Sequence, residues 1–441
     1  MRKPICLALA VLCLFSLLCL SAGAEPEAFP AAENAGAVYL YHLESARTVG
    51  EKNGDVRLSA GAAVKLLSGL VACEWLDGRL DDTVTVTSAM VPDPERNGRT
   101  YGLSAGDTYT WQEILLLALC GSYNDAYDVL AYSIGNGREV GVAHYTELLN
   151  ARAKELGAGS TVAGDASGVA DNSYTTAADL CRIACAAAEN PLYLRFAGLK
   201  SGTLSNGDSV KNRNSLIGSK SLGGAECAGM CVGETGNAGV TLICLAKKES
   251  DSYILVVMDA LDDDGKASES AANSLASTLL RWAYRTYRNT EILTPEETVC
   301  TLPVTVSDLS ESVNVRARES LWAYLPAGCT VGVDVFLSVR LTVDSLEAPV
   351  AEGTAVGFVA AIYQGEVIGS VPLETAESAE RSGFMSRLLS IKNLTGSRRA
   401  KASLIFFLCC LSLWIGGGAY LKYRRRAKWR RYDSSRSKWR T

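Results

Sequence analysis

The chain has 441 residues, 48% of them hydrophobic and 21% charged, with 43 Lys and Arg against 48 Asp and Glu for a net charge of -5. Arg2 and Lys3 open the chain and a dense run of basic residues flanks the C-terminal apolar segment; without them the region between is strongly acidic, which disfavours nucleic acid or any other anionic polymer as its main partner. Only His42 and His144 accompany 14 cysteines, so histidine has little to offer a metal centre.

Residues 1–24 read as a secretory signal: basic Arg2 and Lys3, an apolar run over 5–20, and small residues at Ala22, Gly23 and Ala24. Cys19 follows two leucines rather than small residues, which argues against lipidation; an uncleaved anchor helix is the alternative. Residues 25–292 are mixed. A strand is predicted at 37–41, helices at 60–75, 115–134 and 145–156, a hairpin from 239–246 and 252–258, and a long closing helix over 268–287. Helices held between an early strand and a late hairpin predict an α/β (α+β) fold, helices packed on an antiparallel sheet.

Residues 293–373 change to short strands with turn residues between them, a small all-β domain. Residues 374–401 are polar and then amphipathic through Phe384, Met385, Leu388, Leu389 and Ile391, a stalk suited to a membrane surface. Residues 402–421 carry no charge and are long enough to cross a bilayer as a helix. The basic tail 422–441 follows at once, so the tail is expected in the cytoplasm and the domains outside a single-pass cell membrane. Anionic lipid explains that tail more simply than nucleic acid does.

Nine cysteines lie between the signal and the stalk, an odd number spread through apolar stretches and unlike a disulfide framework. Cys181/Cys185 and Cys227/Cys231 share a four-residue step and could in principle make a four-sulfur metal site. The simpler reading, preferred here, is small buried hydrophobes. No metal and no cofactor are expected.

Three short stretches carry chemistry: Ala62-Ala63-Val64-Lys65 at a helix start, Gly121-Ser122-Tyr123-Asn124-Asp125 after an apolar helical run, and Gly233-Glu234-Thr235-Gly236 before a hairpin strand. Their order and spacing resemble the Ser-x-x-Lys, Ser-x-Asn and Lys-Thr-Gly motifs of the penicillin-recognising serine peptidases, in particular the low-molecular-weight D-alanyl-D-alanine carboxypeptidases. Residues three apart share a helix face, which in that family places the lysine beside the serine it deprotonates. The flanks agree: Asn212-Arg213-Asn214 resembles the family's asparagine-containing turn, and Ala348-Pro349-Val350 is similar to its C-terminal β domain. The resemblance implies a β-lactamase/transpeptidase-like fold and a role at peptidoglycan.

Two departures decide the functional expectation. Ala62 stands where the family has its nucleophile, and a methyl group cannot attack a carbonyl. Glu234 stands at the third-motif lysine, followed by Thr235 and Gly236, and would repel the substrate carboxylate that a lysine receives. Lys65, Ser122 and Asn124 survive. Ser59 and Ser68 are the serines nearest to a substitute nucleophile, and an ion pair between Lys65 and Glu234, direct or through Ser122, is predicted to fill the site.

The expectation is a pseudoenzyme of the cell envelope that binds a peptidoglycan stem peptide or an envelope protein. An active carboxypeptidase with a non-standard nucleophile is the alternative. A sensor reporting through a tail with Tyr423, Trp429, Tyr432 and Trp439 is a third.

Overall fold

The computed structural model describes residues 27–436 except 92–97, 136–138, 237, 308–309, 382 and 384–397. The expected signal segment and the apolar residues of the expected stalk lie outside the described residues. The chain divides into two compact units, 1–291 with 322–335, and 292–321 with 336–441.

The first unit is built on a five-stranded antiparallel sheet. Its strands are β1 (Ala35–His42), β2 (Arg47–Lys52), β3 (Glu226–Thr235), β4 (Gly239–Lys248) and β5 (Asp251–Ala260), in the order β2-β1-β5-β4-β3. Side chains alternate across a strand, and β4 uses both faces. Ile243 and Leu245 enter a core with the larger helical layer, whereas Val240, Leu242 and Cys244 enter a second core under α7 (Glu269–Thr286). Helix α7 begins where Ser268 accepts the Ala271 N–H at 3.2 Å, a side-chain cap that satisfies one of the orphan donors of the first turn. The predicted antiparallel sheet with packed helices is the observed architecture.

On the other face lie α1 (Val64–Leu76), α2 (Trp111–Leu115), α3 (Asn124–Ile134), α4 (Glu139–Glu155), α5 (Ala177–Glu189) and α6 (Pro191–Ala197). The predicted helix over 115–134 is two helices. A capping box of Thr110 and Glu113 starts α2 earlier, and a π-helical turn over Leu116–Cys120 then ends it. Ser122 follows in a left-handed conformation, φ 56°, before α3 begins. Apolar periodicity continues across the break, so pattern alone could not show it.

A bulge bends β3. Gly229 and Met230 adopt φ 113° and 108°, and the pairing with β4 slips at this place. The phase of the strand therefore inverts: Cys227 points into the core under α7, but Cys231 points into the helical core. Cys227 meets Cys244 of the neighbouring strand on the same face instead, Sγ to Sγ 3.2 Å. The four-sulfur arrangement suggested by the spacing of Cys181, Cys185, Cys227 and Cys231 is not formed, because the sheet separates Cys227 from the other three.

The second unit holds β6 (Thr298–Thr305), β7 (Ser312–Ala317), β8 (Val335–Leu341), β9 (Leu346–Glu347), β10 (Ala355–Tyr363) and β11 (Glu366–Thr375), in the order β8-β10-β11-β7-β6-β9. Its core includes Val313, Val315, Val356, Val359 and Leu373. Farther along, α8 (Arg398–Arg436) contains Ile405–Arg426, a stretch long and apolar enough to cross a membrane.

Candidate functional site

A cleft of about 520 Å³ opens where the start of α1, the Ser122 turn and the end of β3 converge. Ala62, Lys65, Ser122, Asn124, Glu234, Thr235 and Gly236, the seven residues singled out in the sequence, all line it. Local structure explains the convergence. Residues Gly61–Ala63 form a single 3₁₀ turn that runs into α1, so Ala62 and Lys65 share one side of the helix start. The Asp125 carboxylate accepts the backbone N–H groups of Tyr101, Gly102 and Leu103, the second at 2.8 Å, pinning a loop over the start of α3. The Arg99 carbonyl takes the Asn124 N–H at 2.8 Å. Asn212 donates to the Ala197 and Leu199 carbonyls at 2.9 and 2.7 Å, and so fixes the turn that carries Arg213 into the cleft.

Lys65 is 4% exposed and donates to Ser122 O at 2.8 Å and Ser122 Oγ at 3.0 Å. Its ammonium also lies 5.6 Å from the centre of the Tyr127 ring. Burial lowers its pKa to about 8, with Arg99 and Arg213 pushing the same way against Cys231 and Asp128. The carbonyl it holds belongs to the one residue of the Ser-x-Asn stretch with a left-handed backbone, a conformation costing about 1 kcal/mol or more. Lysine and turn support one another.

The predicted pair between Lys65 and Glu234 does not form. Glu234 is exposed at the mouth of the cleft and makes no ion pair among the described residues. The strand period gives the reason. A Cβ added at Gly233 would fall 2.3 Å from Ala62 Cβ, and one added at Gly61 would meet Thr235 Oγ1 at 2.2 Å, so residues 233 and 235 face the start of α1. Glu234, between them, faces away from Lys65. The strand side chain that does approach Lys65 is Cys231, whose Sγ also lies 3.7 Å from Ala62 O. Burial raises the Cys231 thiol to about 11, with Lys65 opposing the shift, so it is held as a neutral thiol.

Three members of this neighbourhood are not legible in the residues alone. Spacing groups Cys231 with other cysteines, Arg213 sits in a turn whose letters give it no role, and Arg99 carries no motif at all. Arg99 donates to Gly121 O at 2.9 Å and stacks 4.7 Å over Tyr123; Arg213 is paired with Glu269. Of the two substitute serines, Ser68 is fully buried and tied to Tyr145, with the hydroxyls 3.2 Å apart. Ser59 lines the cleft, but neither serine is hydrogen-bonded to Lys65. Thr235 Oγ1 is buried without a hydrogen-bond partner among the described residues.

Comparison with known proteins agrees with this arrangement. Residues 24–262 match the family described as D-alanyl-D-alanine carboxypeptidase. Over 367 residues the chain is 27% identical to the D-alanyl-D-alanine carboxypeptidase DacD of Salmonella typhimurium, a match covering 81% of this chain and 90% of that one. The D-alanyl-D-alanine carboxypeptidase DacF of Bacillus subtilis is 24% identical over 365 residues, covering 81% and 89%. Among solved structures, penicillin binding protein 5 from Haemophilus influenzae shares the fold with a TM-score of 0.61 at 22% identity, over 80% of this chain and 100% of that one. With more than half of its length matched to that family, the chain belongs to the D-alanyl-D-alanine carboxypeptidases.

Proposed function

We propose that this protein is a membrane-anchored, extracytoplasmic member of the family that binds a peptidoglycan stem peptide, or an envelope protein presenting a similar chain end, without cleaving it. One observation carries the reading: at the floor of the cleft, one helical turn before Lys65, stands the methyl group of Ala62, with Gly233 pressed against it. A covalent route needs an oxygen or sulfur nucleophile within hydrogen-bond reach of its base, and Lys65 reaches only Ser122. Ser122 is engaged twice by that lysine, through its carbonyl and its hydroxyl.

The geometry also supports a different register for the third motif. The glycine against Ala62 is Gly233, so the matching triplet is Cys231-Val232-Gly233, with neither the lysine nor the threonine of the family pattern. Both chemical requirements, attack and capture of a terminal carboxylate by that lysine, are then unmet. The helix containing Ile405–Arg426 supports an anchor, and the positive charge after it supports a cytoplasmic tail. The alternative, a working carboxypeptidase, rests on Ser59, whose place in the cleft lining is what supports it.

Fluorescent penicillin offered to the full chain in detergent tests the reading. No covalent adduct and no release of D-alanine from a stem pentapeptide are expected; either one would sink it. A triple variant, Ala62→Ser with Cys231→Lys and Val232→Thr, is expected to be acylated, whereas Ala62→Ser with Glu234→Lys is not.

A further inference from the structure

Two thiols meet in the core under α7. Cys227 on β3 and Cys244 on β4 lie 3.2 Å apart, sulfur to sulfur, although 17 positions separate them in the chain. Both are buried, Cys227 with 6% and Cys244 with 0% exposure. The bulge brings them together. Cys244 is paired with Met230 and Ala246 with Cys227, so two steps along β4 are matched by three along β3. That extra residue leaves Cys227 on the face that Cys244 occupies, while Cys231 turns to the other. Asn214 Nδ2 stands 3.7 Å from Cys227 Sγ on the same side of the sheet. Sulfurs at this separation need to approach by only about 1 Å to reach the disulfide bond length of about 2.0 Å.

We propose that Cys227 and Cys244 are a disulfide-forming pair, closed in an oxidising medium into a covalent cross-link between β3 and β4. The setting rests on the extracytoplasmic placement proposed above; the chemistry rests on the geometry. The oxidant is an external disulfide, either a small molecule or one held by a thiol oxidase. Cys227 attacks one of its sulfurs as a thiolate, forming a mixed disulfide and expelling the other sulfur as a thiolate. Cys244, deprotonated in turn, attacks Cys227 Sγ, so that the Cys227–Cys244 bond forms and the second oxidant sulfur leaves as a thiolate. The pair loses two electrons and two protons, and the oxidant gains them as two thiols. The order of attack follows from the pair itself. The hydrogen bond with Cys244 holds the Cys227 thiol below its ordinary range, whereas that bond and burial push the Cys244 thiol well up. The exchange belongs to folding, because a buried sulfur is closed to an incoming disulfide. Once made, the bond ties the chain across Gly229 and Met230 and holds in place the bulge that sets Gly233 on Ala62.

Mass spectrometry of the full chain tests the pair. Cells are lysed in denaturant with N-ethylmaleimide, which blocks every free thiol, and the protein is digested without reductant. A peptide joining Cys227 to Cys244, two hydrogens lighter than its parts and free of maleimide at both, is expected. The same map is made on reduced full chain held in detergent with diamide, a diazene that takes up the two hydrogens. Maleimide on both sulfurs in both preparations, or either sulfur joined to a different cysteine, overturns the inference. A bond that closes with diamide but is absent from protein trapped in cells leaves the pair standing and counts against the extracytoplasmic placement. Thermal unfolding then reads the cross-link. Dithiothreitol in the ramp should lower the wild-type midpoint by about 5 °C, the scale set by a closed loop of this length, and should not move that of Cys227→Ala with Cys244→Ala. A wild-type midpoint unchanged by dithiothreitol, with the bond shown to be reduced, overturns its role in holding the strands.

Discussion

Lys65 costs the folded protein stability. Its ammonium is almost fully buried against neutral partners, and its pKa falls from 10.5 to about 8 because burial penalises the charged form. Between those two pH values the unfolded chain binds more protons than the folded one, so this group makes stability rise with pH across that window. Below pH 8 the full penalty applies, on the order of 3 kcal/mol. The Lys65→Met variant should lose this pH dependence. Relative to wild type it should be more stable at pH 7 than at pH 10.5 by about 3 kcal/mol, whatever constant cost comes from leaving Ser122 O unpaired. Chemical denaturation at the two pH values measures the difference, and parallel curves for the two proteins would refute the account. A lysine kept at such a cost, without a nucleophile beside it, is more easily understood if it holds the Ser122 turn and presents charge to a ligand.

At the scale of the element, strand β3 makes the site what it is. Its bulge inverts the strand phase between Cys227 and Cys231, and brings Gly233 onto Ala62. A pair of alanine substitutions reads the register directly. Gly233→Ala would drive a methyl group to 2.3 Å from Ala62 Cβ, an overpacking expected to cost about 1–3 kcal/mol. Gly236→Ala meets nothing within 4 Å and should leave the denaturation midpoint unchanged within error. Equal effects of the two would mean that β3 does not lie on Ala62 as described. The same packing of Gly233 on Ala62 explains why the letters of the sequence favour the neighbouring triplet. Glycines at 229, 233, 236 and 239 offer several endings for the motif, and nothing in their spacing says which one touches the helix start. Among them, Glu234-Thr235-Gly236 keeps a threonine and a glycine in order, so it is the better match by letters. The bulge at Gly229 and Met230 then adds a residue that period-two counting cannot anticipate.

At the scale of the whole molecule, the proposed anchor is tested on the C-terminal helix, whose stretch Ile405–Arg426 is long and apolar enough to cross a membrane. Removing residues 398–441 should move the protein from the membrane pellet to the soluble fraction after alkaline carbonate extraction, and retention in the pellet would show that another segment holds it. Protease added to intact cells should digest the folded units and spare a fragment containing the tail. Sequence alone determined the class of fold, the family, the late hairpin and closing helix of the first unit, the apolar C-terminal segment and the absence of a serine at position 62. These follow from composition, periodicity and short motifs, which are local and survive distant relationship. Tertiary structure alone decided that Lys65 holds Ser122 and not Glu234, that Cys231 is the strand side chain that approaches the lysine, that Arg99 and Arg213 share the cleft, and that Cys227 faces Cys244. Each of those depends on residues tens to hundreds of positions apart, brought together by a π-helical turn and a bulge. Both are single-residue irregularities that shift a face without altering the hydrophobic pattern, and hydrophobic pattern is the signal from which elements are read.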